Sequence, residues 1–320
     1  MSPRRPLNEA ERVALALADA AYQAGTVRLT RTDLSGYSHL VASRQGLFAV
    51  NERGYTLVAY GFFFGITLLE SDIYLFEACD LPGFATRRGR IIRLARDGDR
   101  IIQSEVIASG LDNGCHQIDI LDGLLCVLDT YNQKVLRFSL DGMTVDECYP
   151  LARAENRDWL RGYAHINSLL KVSDRILLLL HNGAEHTGEK SAIAVFDREW
   201  RQVDRWPLPG GGCHNIAVLD DGTLLSCGSV AGELISLDGL CIKISSMMTR
   251  GLSAGADTIA VGSSKFSSRR DRHLVPGTVT FLDRSYGVRS VLDLPGAPTE
   301  IRKLDGHDYS LSAFVHGMPR

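Results

Sequence analysis

From Gly25 to the C-terminus, short apolar runs alternate with clusters of Gly, Asp, Asn and Ser. Runs this brief, punctuated by turn formers, predict a long series of antiparallel strands and leave no room for strand–helix–strand units. The stretch before Gly25 differs. Asn8 to Ala24 (NEAERVALALADAAYQA) is rich in Ala and Leu, with Asn8 placed to cap its start and Gly25 to stop its end, so a helix is predicted there. Its apolar residues Val13, Leu15, Ala16 and Leu17 are too crowded for one clean stripe. The helix is expected to pack on the edge of the strand domain, with a subunit contact as a further reading. Residues 1–24 therefore read as a helical extension and 25–320 as one domain, with helical periodicity returning only briefly near Ala154 to Leu160.

Within the strand region the sequence repeats itself. Segments beginning GCHQIDILDG at Gly114, YAHINSLLKV at Tyr163 and GCHNIAVLDDG at Gly212 align, each as a turn, an apolar strand, a polar hairpin and a second apolar strand. Their histidines, His116, His165 and His214, are spaced 165 − 116 = 49 and 214 − 165 = 49 residues apart. Hairpin units of that period predict an all-β fold, a six-bladed β-propeller with a short N-terminal helix, with five or seven blades as alternatives. Weaker copies start at Gly65, Arg250 and Thr299. The last copy holds two strands, and HLVAS from His39 with GLFAVNE from Gly46 would complete its blade and close the ring, leaving no open sheet edge. The apolar run Leu57 to Leu69 reads as two buried strands meeting at a tight turn, since it ends at Glu70 and is too short to span a bilayer as a helix.

Composition narrows the partners. The 320 residues carry a net charge of −3, which gives no general attraction to nucleic acid or anionic membranes, and no basic–aromatic platform for single strands is visible. A small-molecule substrate is the expected partner. The seven cysteines are scattered without a CxxC pair, and no apolar stretch follows the basic start, so a reducing, cytoplasmic setting is expected. Walker A, GxSxG, HExxH and GxGxxG signatures are absent.

The histidines carry the candidate chemistry. First strands of propeller blades line the central channel, so His116, His165 and His214 are expected to converge near one mouth. Three histidines with an open fourth position suit a divalent metal, whether zinc, manganese, iron or copper, which would polarise a carbonyl or activate water in a lyase or hydrolase. A structural reading stays open beside it, in which the histidines bond within the inner strands and the propeller is a non-catalytic scaffold for a protein or carbohydrate. Glu300 and Arg250, at the starts of two further inner strands, are the other catalytic candidates, Glu300 as base or fourth ligand. Gln117, Asn167 and Asn215 are expected to orient the imidazoles. His181 and Asp129 end second strands and are placed at the opposite mouth, as structural residues. Cys115 and Cys213 should be small buried hydrophobes. The loop Ser263 to His273, with Lys265, Arg269, Arg270 and Arg272, reads mainly as solvated, with anion binding as its functional alternative.

Particular residues also carry resemblances. LLCVLDTYNQKVLRFSLDG, with Asp129, Asn132, Arg137 and Phe138, resembles one blade of an NHL or SMP-30-type six-bladed propeller. Arg250, Gly251, Leu252, Val261, Gly262, Ser263 and Arg270 resemble a pattern in a bacterial propeller family of unknown function. The three histidines resemble the arrangement in the peptidylglycine amidating lyase and oligogalacturonate lyase families, which implies a metal-ligand set at His116, His165 and His214. SMP-30 lactonases use carboxylate and amide ligands, and their full set is absent here. A metal-free enzyme with Glu300 as base would resemble strictosidine-synthase-type propellers.

Overall fold

The computed structural model describes residues 6–80, 86–153, 157–267, 271–305 and 314–316. Six antiparallel sheets form the blades of a propeller. Their inner strands are Pro298–Lys303, Phe63–Leu69, Ile118–Leu121, Ile166–Val172, His214–Val218 and Met248–Ala254, taken below as blades 1 to 6. In blades 2 to 6 the four strands follow one another in sequence outward from the channel.

Blade 1 closes the ring. Its inner strand Pro298–Lys303 pairs directly with His39–Ser43, followed outward by Gly46–Asn51 and Gly54–Tyr60, with Arg28–Leu29 on the rim. The sequence predicts two C-terminal strands in this blade, but His39–Ser43 occupies the place of the second; residues 306–313, on which that prediction falls, lie outside the described residues. The run Leu57 to Leu69 does form two strands, yet they do not pair. Gly54–Tyr60 is the outer strand of blade 1 and Phe63–Leu69 the inner strand of blade 2, so Gly61 and Phe62 carry the chain between blades.

Alternation along each strand sends side chains to both sheet faces, and every blade is sandwiched between two others. Among the described residues, one apolar cluster fills each of the six blade–blade interfaces, such as Leu40, Leu47, Phe63 and Ile66 between blades 1 and 2. The helix Glu9–Gln23 starts at Asn8 with a capping box, in which Asn8 and Glu11 bond each other's backbone N–H groups, and Gly25 follows it with φ +61°. It packs Ala18, with Ala14 and Leu15 part-buried, on the cluster between blades 2 and 3. No described helix is long and apolar enough to cross a membrane.

Candidate functional site at the channel mouth

Four inner strands begin with a break in pairing register, at Phe63/Gly65, Ile166/Ser168, His214/Ile216 and Thr249/Leu252. Bulges of this kind re-aim side chains and are common beside active sites. Of the residues skipped by the breaks, Phe64, Asn167, Asn215 and Arg250 line the channel, and Gly251 accompanies Arg250.

The structure brings His116, His165 and His214 to one mouth, all buried. Ring centroids are 5.1 Å apart for His116 and His165 and 6.3 Å for His165 and His214. Their strand positions are not fully equivalent. Aligned on the bulges, the counterpart of His214 in blade 4 is Ile166, so His165 joins from one residue earlier, with its backbone left-handed at φ +52°. A non-glycine residue held there is strained and is typically found where the surrounding structure demands it.

A fourth histidine completes the group. His181 lies 5.3 Å from His165 and 5.5 Å from His214, ring to ring. Its expected place at the opposite mouth is wrong, because an antiparallel hairpin returns the end of the second strand to the mouth where the first began. Trp159, on the short 3₁₀ turn Trp159–Arg161, covers the cluster, with ring centroids 5.9 Å from His165 and 5.6 Å from His181. Neither residue stands out by repeat spacing; strand pairing would have pointed to His181.

Hydrogen bonds fix the tautomers. His116 Nδ1 lies 2.8 Å from the Gly114 carbonyl, and His214 Nδ1 lies 3.0 Å from both the Gly212 carbonyl and the Ser229 hydroxyl, whose own proton faces the Cys227 carbonyl. A carbonyl only accepts, so both rings carry the proton on Nδ1, and Nε2 is the unprotonated nitrogen of the neutral ring. His181 is reversed: its Nδ1 accepts the Gly183 N–H at 3.1 Å, which puts the proton of the neutral ring on Nε2. His165 Nδ1 meets the Tyr163 hydroxyl at 2.8 Å, where either group can donate. Burial, followed by the charge of Arg250, holds the pKa of His214 well below its usual 6.5.

Cations surround these rings. Arg250 is buried beside Phe64, its guanidinium 5.4 Å from the ring centroid, and Arg44 stacks on the same ring at 4.0 Å. Phe64 in turn lies 5.0 Å from the His116 ring. Arg272 also acts on His214 through its charge. Of the other loop residues, Lys265 is exposed, and Arg269 and Arg270 lie outside the described residues.

Along the channel from the histidines, a cavity of about 10 Å³ is lined by His116, His214, Arg250 and Glu300 among others, room for about one water molecule. Glu300 accepts Asn215 Nδ2 at 2.9 Å and lies 3.3 Å from the buried Arg302 guanidinium. It is thus a buried, paired carboxylate within the channel. The amides expected to orient imidazoles bond elsewhere. Asn167 donates to the Cys213 carbonyl at 2.8 Å and Asn215 accepts the Gly251 N–H at 2.7 Å, while Gln117 accepts the Leu169 N–H. Each stitches its inner strand to the next blade. Asp129 and Asn132 close a hairpin turn through bonds of 2.8 and 2.9 Å. Cys115 and Cys213 are buried thiols raised by desolvation, Cys213 to about 11.

The donor chemistry suits a metal, since metal-bound imidazoles commonly fix Nδ1–H on a carbonyl. The spacing does not: among the described residues, no three His, Cys, Asp or Glu side chains stand where they could hold one ion.

Fold and mouth together place the chain among the six-bladed β-propellers. No protein family model matches the chain, and no curated protein matches it in sequence. Solved structures match its shape. A Bacteroides caccae protein of unknown function is 12% identical, with 84% of this chain and 99% of that chain covered at a TM-score of 0.55. A chain of a nidogen–laminin complex is 8% identical, with coverages of 84% and 98% and a TM-score of 0.58. A provisionally assigned gluconolactonase is 12% identical, with coverages of 86% and 89% and a TM-score of 0.52. Likeness at such identities establishes the propeller fold and nothing about chemistry.

Proposed function

We propose that the histidine mouth is the active site of an enzyme of lyase or hydrolase type that moves protons on a small anionic substrate. One observation carries the reading: His214 and His181 hold opposite tautomers with their rings 5.5 Å apart. Proton abstraction near neutral pH needs an unprotonated base beside a donor for the negative charge that develops. His214 Nε2 is the base, kept unprotonated by burial and Arg250; the His181 Nε2–H is a hydrogen-bond donor to the negative charge that develops on the substrate. Arg250 supplies a guanidinium for a carboxylate or developing oxyanion. The test is a turnover screen over small carboxylates, lactones and uronic-acid esters, paired with nitrogen-detected NMR of the histidines. His214→Gln and His181→Gln are each expected to lower turnover at least 100-fold, within the usual range for a lost base or a lost oxyanion donor. Full activity in both variants, or the same tautomer on both rings, would overturn the reading.

A metal-bound form of this mouth is the second reading, favoured by the carbonyl-fixed tautomers of His116 and His214. Elemental analysis decides it. Near-stoichiometric metal, lost in a folded His116→Ala, His165→Ala, His214→Ala variant, would put the metal reading first. No uptake after reconstitution with zinc, manganese, iron or copper would remove it.

A further inference from the structure

The crowded apolar residues of the N-terminal helix resolve into two stripes. Ala14, Leu15, Ala18 and Ala21 turn towards the propeller, buried or part-buried. The second stripe, Ala10, Val13 and Leu17, stays open, with Val13 53% and Leu17 48% exposed. This stripe forms one wall of a groove of about 1030 Å³, whose far side includes Tyr60, Phe62 and Leu274. A groove of that size takes a drug-sized or acyl ligand.

Its polar lining is specific. Arg28 reaches the groove from the rim strand, its guanidinium 5.7 Å from the Tyr60 ring centroid and its charge acting also on the buried Glu77; among the described residues its buried Nε has no hydrogen-bond partner. Arg44 lines the groove too, and it stacks on Phe64, which contacts His116. A second link runs through the turn Arg272–Leu274, where His273 and Leu274 line the groove while the charge of Arg272 acts on His214. His273 ties the helix in place through Glu11 at 2.9 Å, so of the two carboxylates lining the groove, Glu9 and Glu11, the latter is already paired, while Asp271 immediately precedes the turn. Groove and mouth therefore share a cationic border.

Resting on the reading of the mouth as an active site, we propose that the groove binds the apolar tail of an amphiphilic carboxylate, so that the substrate class is an acyl or aryl anion whose head lies at the border arginines.

The test is calorimetric titration of the whole protein with hexanoate, octanoate and decanoate, and with decylammonium as the cationic control. Affinity should rise about fourfold for each added methylene, the equilibrium equivalent of burying one such group. Leu17→Asp and Val13→Asp, on the open helix face, should each weaken decanoate at least tenfold, and Arg28→Ala should weaken it while sparing decylammonium. No saturable decanoate binding, equal binding of decylammonium, or unchanged affinity in Leu17→Asp would overturn the proposal. So would a dimer in light scattering that Leu17→Asp splits, because a second copy would then fill the groove. The two readings fail separately. Decanoate binding unaltered by His214→Gln, with no turnover of any carboxylate, retains the groove and removes the active site; turnover of short carboxylates without chain-length dependence does the opposite.

Discussion

His39 is buried in blade 1, edge-on to Phe281 of blade 6 at 5.5 Å. Burial first, then the charge of Lys303, pushes its pKa from 6.5 down to about 4. An unfolded chain binds a proton at this side chain below pH 6.5, whereas the native ring stays neutral until about pH 4. Its contribution is therefore complete above pH 6.5 and drains away as the pH falls to 4, a loss of about 3 kcal/mol. Urea melts at pH 7 and pH 4.5 should show a smaller acid loss in His39→Gln than in the parent; equal losses would refute the assignment. Residue-scale reading of the sequence was strongest where a repeat marked a position. It found His116, His214, Arg250 and Glu300 on the channel because first-strand starts recur with a blade period. It placed His181 at the opposite mouth because proximity there comes from hairpin pairing, and it took His165 as equivalent to His214 because a one-residue slip, absorbed by left-handed backbone, leaves the spacing in the chain unchanged. Arg44 joins the mouth from the blade completed by the far end of the chain, a proximity that local sequence does not encode.

Between elements, the N-terminal helix is held by polar ties as much as by packing. Arg90 is fully buried, 2.7 Å from the Glu77 carboxylate, and donates to the Ala21 carbonyl near the helix C-terminus at 3.0 Å. Replacing it by Met strands the Glu77 carboxyl in a dry interface, a change worth about 3–5 kcal/mol for a broken buried pair. Arg90→Met should lower the melting temperature and speed hydrogen exchange along Glu9–Gln23; unaltered exchange in the helix would show that packing alone seats it. The helix and its ends were legible because capping chemistry is local, and Asn8, Glu11 and Gly25 announce it within a few residues. Where the helix docks was not legible beyond an edge of the domain, because Glu77, Arg90 and His273 come from distant strands and loops.

At the scale of the whole molecule, six blades follow from hairpin repeats, each burying its two faces against neighbours. Closure was legible in outline, from strand-like segments near both ends; that Pro298–Lys303 pairs directly with His39–Ser43 was not, because pairing partners are chosen in three dimensions. Ending the chain before Pro298 would strip His39–Ser43 of its inner partner and open the apolar contacts of Ile301 with blade 6. Such a chain should lack a cooperative melt and near-ultraviolet dichroism, whereas a monomer with a sharp melt would show that five blades suffice. The same closure orders events during protein synthesis. Blade 1 is the first begun and the last finished, so His39–Tyr60 emerges from the ribosome with an unpaired edge and keeps it until Pro298–Lys303 is made. Sheets completed only by the far end of a chain fold slowly and are exposed to mispairing meanwhile. Through most of its translation the chain thus carries an edge that only its own last strand can cover.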